Sequence, residues 1–495
     1  MSAADRTPMG TPMGTPLRKV AVAVLIGFLL LLVNVNYVQV VQAKSLKNDP
    51  HNGRVLVQQF ARPRGPIVVG GTSVARSVKT ADALKYLRVY PDGERYAAVT
   101  GFYSFIYGAT GLERAENSLL SGTDDRLALR RLSALLTGRE PQGGAVVLTL
   151  NPEAQKAAVE GLGGRRGAVV ALDPGTGAIL AMASSPSYDP NPLSTHNGPS
   201  IRAAYQKLLA DPDAPLLNRA ISSTYPPGSL FKVVTAAAAL SSGRYTPQTR
   251  VPAPTTLDLP QTTKSLGNFG GESCGDGRTD TIAHALQISC NTAFAGLGLS
   301  LGARTMAAQA AAFGLGKGYS VPLPVAPSVY PKNADPPSTA QAAIGQFDVR
   351  ITPLQAAMIV AAVANHGTLM APYLIQAVKA PDLSTLVVAK PRKLGTPVTP
   401  QVADQLTAMM QLVVERGTGR AAQIPGIAVA GKTGTAQHAT GEPPHALFGG
   451  FAPADSPKVG VAVLVEDGGG AGSDATGGRI AAPIARSVME AVLDG

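Results

Sequence analysis

Ser229 stands three residues ahead of Lys232, and no other lysine in the chain has a serine at that spacing. The pair follows Tyr225-Pro226-Pro227-Gly228 and runs into Val-Val-Thr-Ala-Ala-Ala-Ala-Leu, which predicts a helix beginning at the serine. A spacing of three puts both side chains on one face of the first turn. A serine gains twice there: a helix N-terminus favours developing negative charge, and a neighbouring amine can take the hydroxyl proton. Lysine has a reference pKa of about 10.4, so it acts as that base only where burial or a second cation disfavours its charged form.

Two further clusters can serve the same chemistry. Ser289-Cys290-Asn291 lies at the end of a predicted helix over residues 281–288. Residues two apart project together from extended backbone, so Ser289 and Asn291 are expected to share a cleft while Cys290 points elsewhere. Ser289 can relay a proton and Asn291 can bind a substrate amide; the plainer reading is a helix C-cap with polar turn residues. Lys432-Thr433-Gly434-Thr435 follows Ile-Ala-Val-Ala-Gly and reads as the latter half of a strand. It offers a cation and two hydroxyls to a carboxylate, and Gly434 lets a substrate lie against the strand. The backbone N–H groups of Ser229 and Thr435 can form an oxyanion hole.

Two other patterns compete. Residues 426–433 satisfy the P-loop pattern, but the intervening residues read as strand and no helix follows. Residues 271–275 satisfy G-x-S-x-G around Ser273, but turn-like glycines flank it where a nucleophile elbow needs a strand and a helix.

The elements that must position these residues are of mixed kind. Residues 167–172 and 178–182 read as a hairpin around Asp173-Pro-Gly-Thr-Gly177. Ala-rich helices are expected over 233–240, 307–313 and 354–364. Strands return at 427–430, 446–451 and 459–465, followed by an amphipathic helix over 480–493. Strands at both ends with helices between predict an α+β domain with an antiparallel sheet closed by the two ends of the segment. Residues 44–144 read as a small mixed domain, with a polar helical stretch over 124–136.

At 495 residues with 45% hydrophobic content, the chain has material for two packed cores. The net charge of +11 suits an anionic surface or polymer, or is a dispersed solvated excess, since no long basic run occurs. No nucleic-acid reading motif appears, and aromatics are only 5% with no Trp. Residues 20–43 form an uncharged apolar stretch preceded by Arg18 and Lys19, which predicts a transmembrane anchor with the body outside the cytoplasm. A cleaved signal peptide is the alternative. Outside the cell disulfides persist, so Cys274 and Cys290 are a candidate bridge, against two unpaired thiols. Two cysteines are too few for a four-ligand metal site, and no CxxC or HExxH spacing appears.

The order S-x-x-K, S-x-N, K-T-G is far more specific than any one of its parts. On these motifs the chain resembles a class B penicillin-binding protein of the penicillin-binding protein A type. Residues 107–113, 171–174, 345–346 and 449–453 fit the same family. Cys290 in the middle of the S-x-N triplet and Leu447-Phe448, where an aromatic pair is common, are departures.

The resemblance implies a cytoplasmic tail at 1–19, an anchor at 20–43, a non-catalytic dimerisation or pedestal-like domain at 44–144, and a transpeptidase domain at 145–495 with an antiparallel sheet flanked by helices. It implies a peptidoglycan D,D-transpeptidase acting on the D-Ala-D-Ala end of stem peptides and acylated by β-lactam antibiotics. Ser229 would be the nucleophile, Lys232 its base, Ser289 and Lys432 a proton path, and Thr433 and Thr435 the carboxylate holders. It implies no metal or organic cofactor, and a multi-spanning membrane glycan polymerase as partner. A β-lactam sensor, an inactive scaffold or a D,D-carboxypeptidase would carry the same motifs. A class A β-lactamase uses a glutamate between the second and third motifs, and none occurs from residue 273 to 414.

Overall fold

The apolar run near the N-terminus forms an α-helix, Gly14–Asn36, continued by a π-helical turn, Tyr37–Val41. Among the described residues this is the one helix long and apolar enough to cross a membrane. It begins ahead of residue 20 and takes Arg18 and Lys19 into its first turns. The computed structural model describes residues 14–42, 59–128, 130, 136, 142–438, 441–472 and 475–495. The chain divides into two units, Met1–Ala61 and Arg62–Gly495.

Within Arg62–Gly495, five antiparallel strands form the sheet that carries the site, in the order Ala430–Ala436, His445–Ala452, Val459–Val465, Gly167–Leu172, Ile179–Ser185. Its outer members come from the two ends of the segment, as the strand pattern predicts. The inner strands are continuous apolar runs because both faces are covered. Val169 and Ala171 join one core with the Pro152–Leu162 and Ala482–Leu493 helices. Ala168, Val170 and Leu172 point the other way, into the larger core that holds the Lys232–Ser241, Asn291–Leu301 and Pro353–Ala364 helices. Alternation of side chains along a strand produces this division. The Pro353–Ala364 helix is buried along its whole length, which matches a sequence apolar throughout except for Gln355, whose Nε2 donates to Phe313 O at 2.9 Å.

The edge strand begins later than its apolar approach predicts. Ile427 bridges locally to Ile424 across a turn, and the partner strand ends at Ala452 before Pro453, so ladder pairing opens only at Ala430↔Phe451. The terminal helix likewise starts at Ala482, after a π-helical turn over Gly477–Ala481.

A second, six-stranded sheet draws on both sides of residue 145. Ala145–Leu148 pairs in parallel with Ile67–Val69 and antiparallel with Ile375–Lys379. Thr72–Lys79, Tyr86–Val89 and Thr385–Val388 complete it. Glu113, fully buried, accepts from Arg88 Nε at 2.6 Å and Arg64 Nε at 2.5 Å. Of the helix expected over 124–136, positions 129 and 131–135 lie outside the described residues; the rest shows a 3₁₀ turn, Asp125–Leu127, and helical backbone at 128, 130 and 136.

Candidate active site

Ser229 sits in a 3₁₀ turn, Gly228–Phe231, that leads directly into the Lys232–Ser241 helix. Two glycines set the turn against the edge strand. Gly228 has φ +52°, and a Cβ there would lie 2.6 Å from the carbonyl oxygen of Thr435. A Cβ on Gly434 would lie 2.8 Å from the carbonyl oxygen of Pro227. The serine's turn and the K-T-G strand are therefore in main-chain contact along Pro227–Gly228 and Gly434–Thr435.

Ser289-Cys290-Asn291 is not extended. Ser289 adopts φ +65°, a conformation rare outside glycine, and Asn291 already begins the Asn291–Leu301 helix. The elbow still brings Ser289 and Asn291 together, because both reach the same lysine. Lys232 Nζ donates to Asn291 Oδ1 at 2.7 Å, to Ser289 O at 2.6 Å and to Ser289 Oγ at 3.3 Å. From the edge strand, Lys432 Nζ donates to Ser289 Oγ at 2.9 Å and to Thr433 O at 3.0 Å. One hydroxyl thus lies between two lysine amines.

Both lysines are fully buried. Burial, and then the charge of Lys432, pulls the Lys232 amine well below its ordinary value. Burial alone brings Lys432 down to about 7. Neutral amine is what a base for Ser229 requires.

Above this floor lies a cleft of about 1090 Å³ whose walls include Ser229, Ser289, Asn291, Thr433 and Thr435. Thr433 Oγ1 pairs with Thr418 Oγ1 at 2.6 Å. Cys274 and Cys290 are joined by a disulfide with Cα atoms 6.1 Å apart, at the back of the Ser289 elbow. Residues 426–433 run as turn and strand, and Ser273 lies in an exposed stretch of coil, so neither competing pattern has the structure it needs.

At one end of the sheet His438, His445 and Asp467 gather within 4.8 Å. The backbone N–H of Asp467 donates to His445 Nδ1 at 3.1 Å, the two rings stack with centroids 3.9 Å apart, and Arg166 pairs with the Asp467 carboxylate. The ring planes are nearly parallel and His445 Nδ1 is engaged by the Asp467 backbone, while the buried Asp467 Oδ1 makes no hydrogen bond among the described residues.

Residues 167–490 match the family model described as "Penicillin binding protein transpeptidase domain". The chain belongs to this penicillin-binding family. Residues 64–146 match "Penicillin binding protein A dimerisation domain". The peptidoglycan D,D-transpeptidase PbpA of Mycolicibacterium smegmatis is 49% identical over 486 residues, 96% of this chain and 98% of that protein. PbpA of Mycobacterium tuberculosis is 47% identical over 489 residues, 97% of this chain and 99% of that protein. The solved structure of penicillin-binding protein A from M. tuberculosis as a ceftriaxone acyl-enzyme complex superposes with a TM-score of 0.86 at 47% identity, covering 88% of this chain and all of that one. Its penicillin G acyl-enzyme complex gives 0.84 at 48% identity, over 87% and 100%.

Against this penicillin-binding frame, sequence reasoning passed over several cleft residues. Thr418 and Gly478 face the K-T-G strand, and Thr476, Asn268 and Phe347 also line the cleft. Thr418 and Gly478 sit in Gly-rich turns, the one signal available, and such turns are common all along this chain. Asn291 was expected to meet a substrate amide; here its Oδ1 accepts from Lys232 and its Nδ2 donates to Gly267 O at 3.1 Å.

Proposed function

We propose that the chain is a membrane-anchored peptidoglycan D,D-transpeptidase working through a Ser229 acyl-enzyme. The observation that carries this reading is the hydrogen-bonded row Lys232–Ser289–Lys432 beneath the cleft that Ser229 lines.

Ser229 Oγ attacks the penultimate carbonyl of a D-Ala-D-Ala stem while neutral Lys232 takes its proton. The N–H groups of Ser229 and Thr435 stabilise the oxyanion, a role supported by the main-chain contact of their two segments. The C–N bond breaks, and the departing D-Ala amine receives its proton along Lys232, Ser289 and Lys432. Thr433, Thr435 and the Lys432 charge hold the terminal carboxylate, and Gly434 lets the strand lie directly against the turn that bears Ser229. Asn291 orients Lys232. An amine from a second stem then attacks the ester, its proton returns through Lys232, and Ser229 is regenerated with the cross-link formed. A β-lactam enters by the same attack, but its leaving group stays tethered and blocks the amine.

The division proposed is a tail at 1–19, an anchor at 20–43, a non-catalytic domain at 44–144 and the catalytic domain at 145–495 facing outward. Arg18 and Lys19 on one flank of the apolar run support that orientation. With no polymerising domain assigned to residues 44–144, glycan polymerisation falls to a multi-spanning membrane partner. Intact-mass analysis after exposure to penicillin tests the assignment: one adduct on wild type and none on Ser229→Ala. Release of D-Ala with cross-linked dimer separates a transpeptidase from a sensor, which releases neither, and from a carboxypeptidase, which forms no dimer.

A further inference from the structure

The Asn291–Leu301 helix begins without a cap of its own. Its N-cap residue is Cys290, whose side chain is committed to the disulfide and makes no capping bond. The first N–H groups are instead met from elsewhere in the chain. Asn268 Oδ1 accepts from Asn291 N at 2.9 Å and from Thr292 N at 3.1 Å. Asn268 Nδ2 closes its own loop by donating to Glu272 O at 3.0 Å. The preceding carbonyl, Gly267 O, accepts from Asn291 Nδ2 and so fixes which end of the Asn291 amide faces Lys232.

These bonds converge on one elbow. Ser289 holds φ +65°, a conformation that a serine keeps only where its surroundings over-determine it. Its main-chain carbonyl and the side-chain Oδ1 of Asn291 are the two shortest contacts of the Lys232 amine. An acceptor at position 268 therefore anchors the backbone that presents both oxygens to the lysine.

We propose that Asn268 is a positioning residue for Lys232: by capping the Asn291 helix from the loop that packs beside it, it holds Ser289 and Asn291 where they orient the amine toward Ser229. The inference rests on the reading of Lys232 as the base for Ser229. A slip of under an ångström in a base lowers the rate of the bond-making step while leaving ligand binding in place.

Stopped-flow acylation of the full chain by a chromogenic cephalosporin separates the dissociation constant from the acylation rate constant. Asn268→Ala is expected to lower the rate constant by roughly 10- to 100-fold with the dissociation constant within about twofold. Asn268→Asp, which keeps an acceptor at the same reach, is expected to retain the rate within about fivefold. Asn268→Gln, which keeps the amide but lengthens the arm, is expected to behave as Ala does, and it decides the matter if the Ala variant does not fold. A wild-type rate constant in a folded Ala or Gln variant, or a loss confined to the dissociation constant, overturns the proposal. A Lys232→Ala variant that acylates normally would overturn the underlying assignment instead, and so separates the two failures.

Discussion

Gly434→Ala perturbs the joint between the nucleophile's turn and the edge strand without touching a catalytic group. The strand backbone at 434 is compatible with alanine, since its φ is not positive. Space is the obstacle. The added methyl would stand 2.8 Å from Pro227 O and 2.9 Å from Leu447 Cβ, where ordinary contact begins at 3.4 Å. Neither neighbour is the free end of a flexible side chain, so turn and strand must part by about 0.6 Å. Overpacking of this kind costs about 1–3 kcal/mol of stability. The same displacement moves the Ser229 N–H relative to the Thr435 N–H, and losing one oxyanion donor outright costs on the order of 10²–10³ in rate. A partial displacement is therefore expected to slow acylation by roughly 10- to 100-fold.

The assay is the second-order rate of labelling by a fluorescent penicillin, with thermal unfolding run alongside. Gly296→Ala serves as control: that helical glycine has nothing within 4 Å of an added Cβ, so the change should leave labelling intact and stabilise by up to about 1 kcal/mol. Labelling of Gly434→Ala within threefold of wild type would mean that turn and strand adjust independently, and the oxyanion hole would then not be built across their joint.

Three further outcomes are expected. Lys432 is pulled to about 7 in the fold, against about 10.4 in the unfolded chain, so between those values the unfolded chain binds the extra proton and stability rises with pH. Lys432→Met removes that contribution: urea midpoints at pH 7 and pH 9 should differ less in the variant than in wild type, and an equal difference in both would refute it. Glu113→Ala leaves buried Arg64 and Arg88 without their counter-charge and should cost about 3–5 kcal/mol in urea unfolding; a loss under 1 kcal/mol would show the arginines re-paired. Reduction of the Cys274–Cys290 bridge, which spans 16 residues, should cost about 3 kcal/mol by chain entropy, read as the change in urea midpoint with reductant.

Much of the site was legible because its parts are local. The turn Pro227-Gly228-Ser229 and the Ala-rich run after it specify a helix start by their own chemistry, and the strand around Gly434 is announced by its apolar approach. What escaped was set by partners distant in sequence. The left-handed Ser289 is held by Lys232 and by the capped helix that follows, and nothing in Ser-Cys-Asn itself demands that geometry. Asn268 caps a helix that begins at residue 291, and a cap supplied across such a gap has no spacing to search for. The strand at Ala430 started late for a similar reason, since its length depends on where the partner strand stops.

The placement of K-T-G on the outermost strand follows from the same logic. An unpaired strand edge exposes a row of N–H and C=O groups, a hazard that folds ordinarily cover or break. In this sheet the edge strand Ala430–Ala436 has one neighbour strand only, and its outer side meets the 3₁₀ turn bearing Ser229 rather than a sixth strand. The cleft runs along what remains of that edge, past Thr433 and Thr435. An extended peptide can lie there as an added strand, its carbonyl delivered between two main-chain segments already in contact. On the proposed function, binding and attack use one feature of the sheet, and that reading accounts for the lysine and the hydroxyls of the third motif sitting on the edge strand and not in the interior.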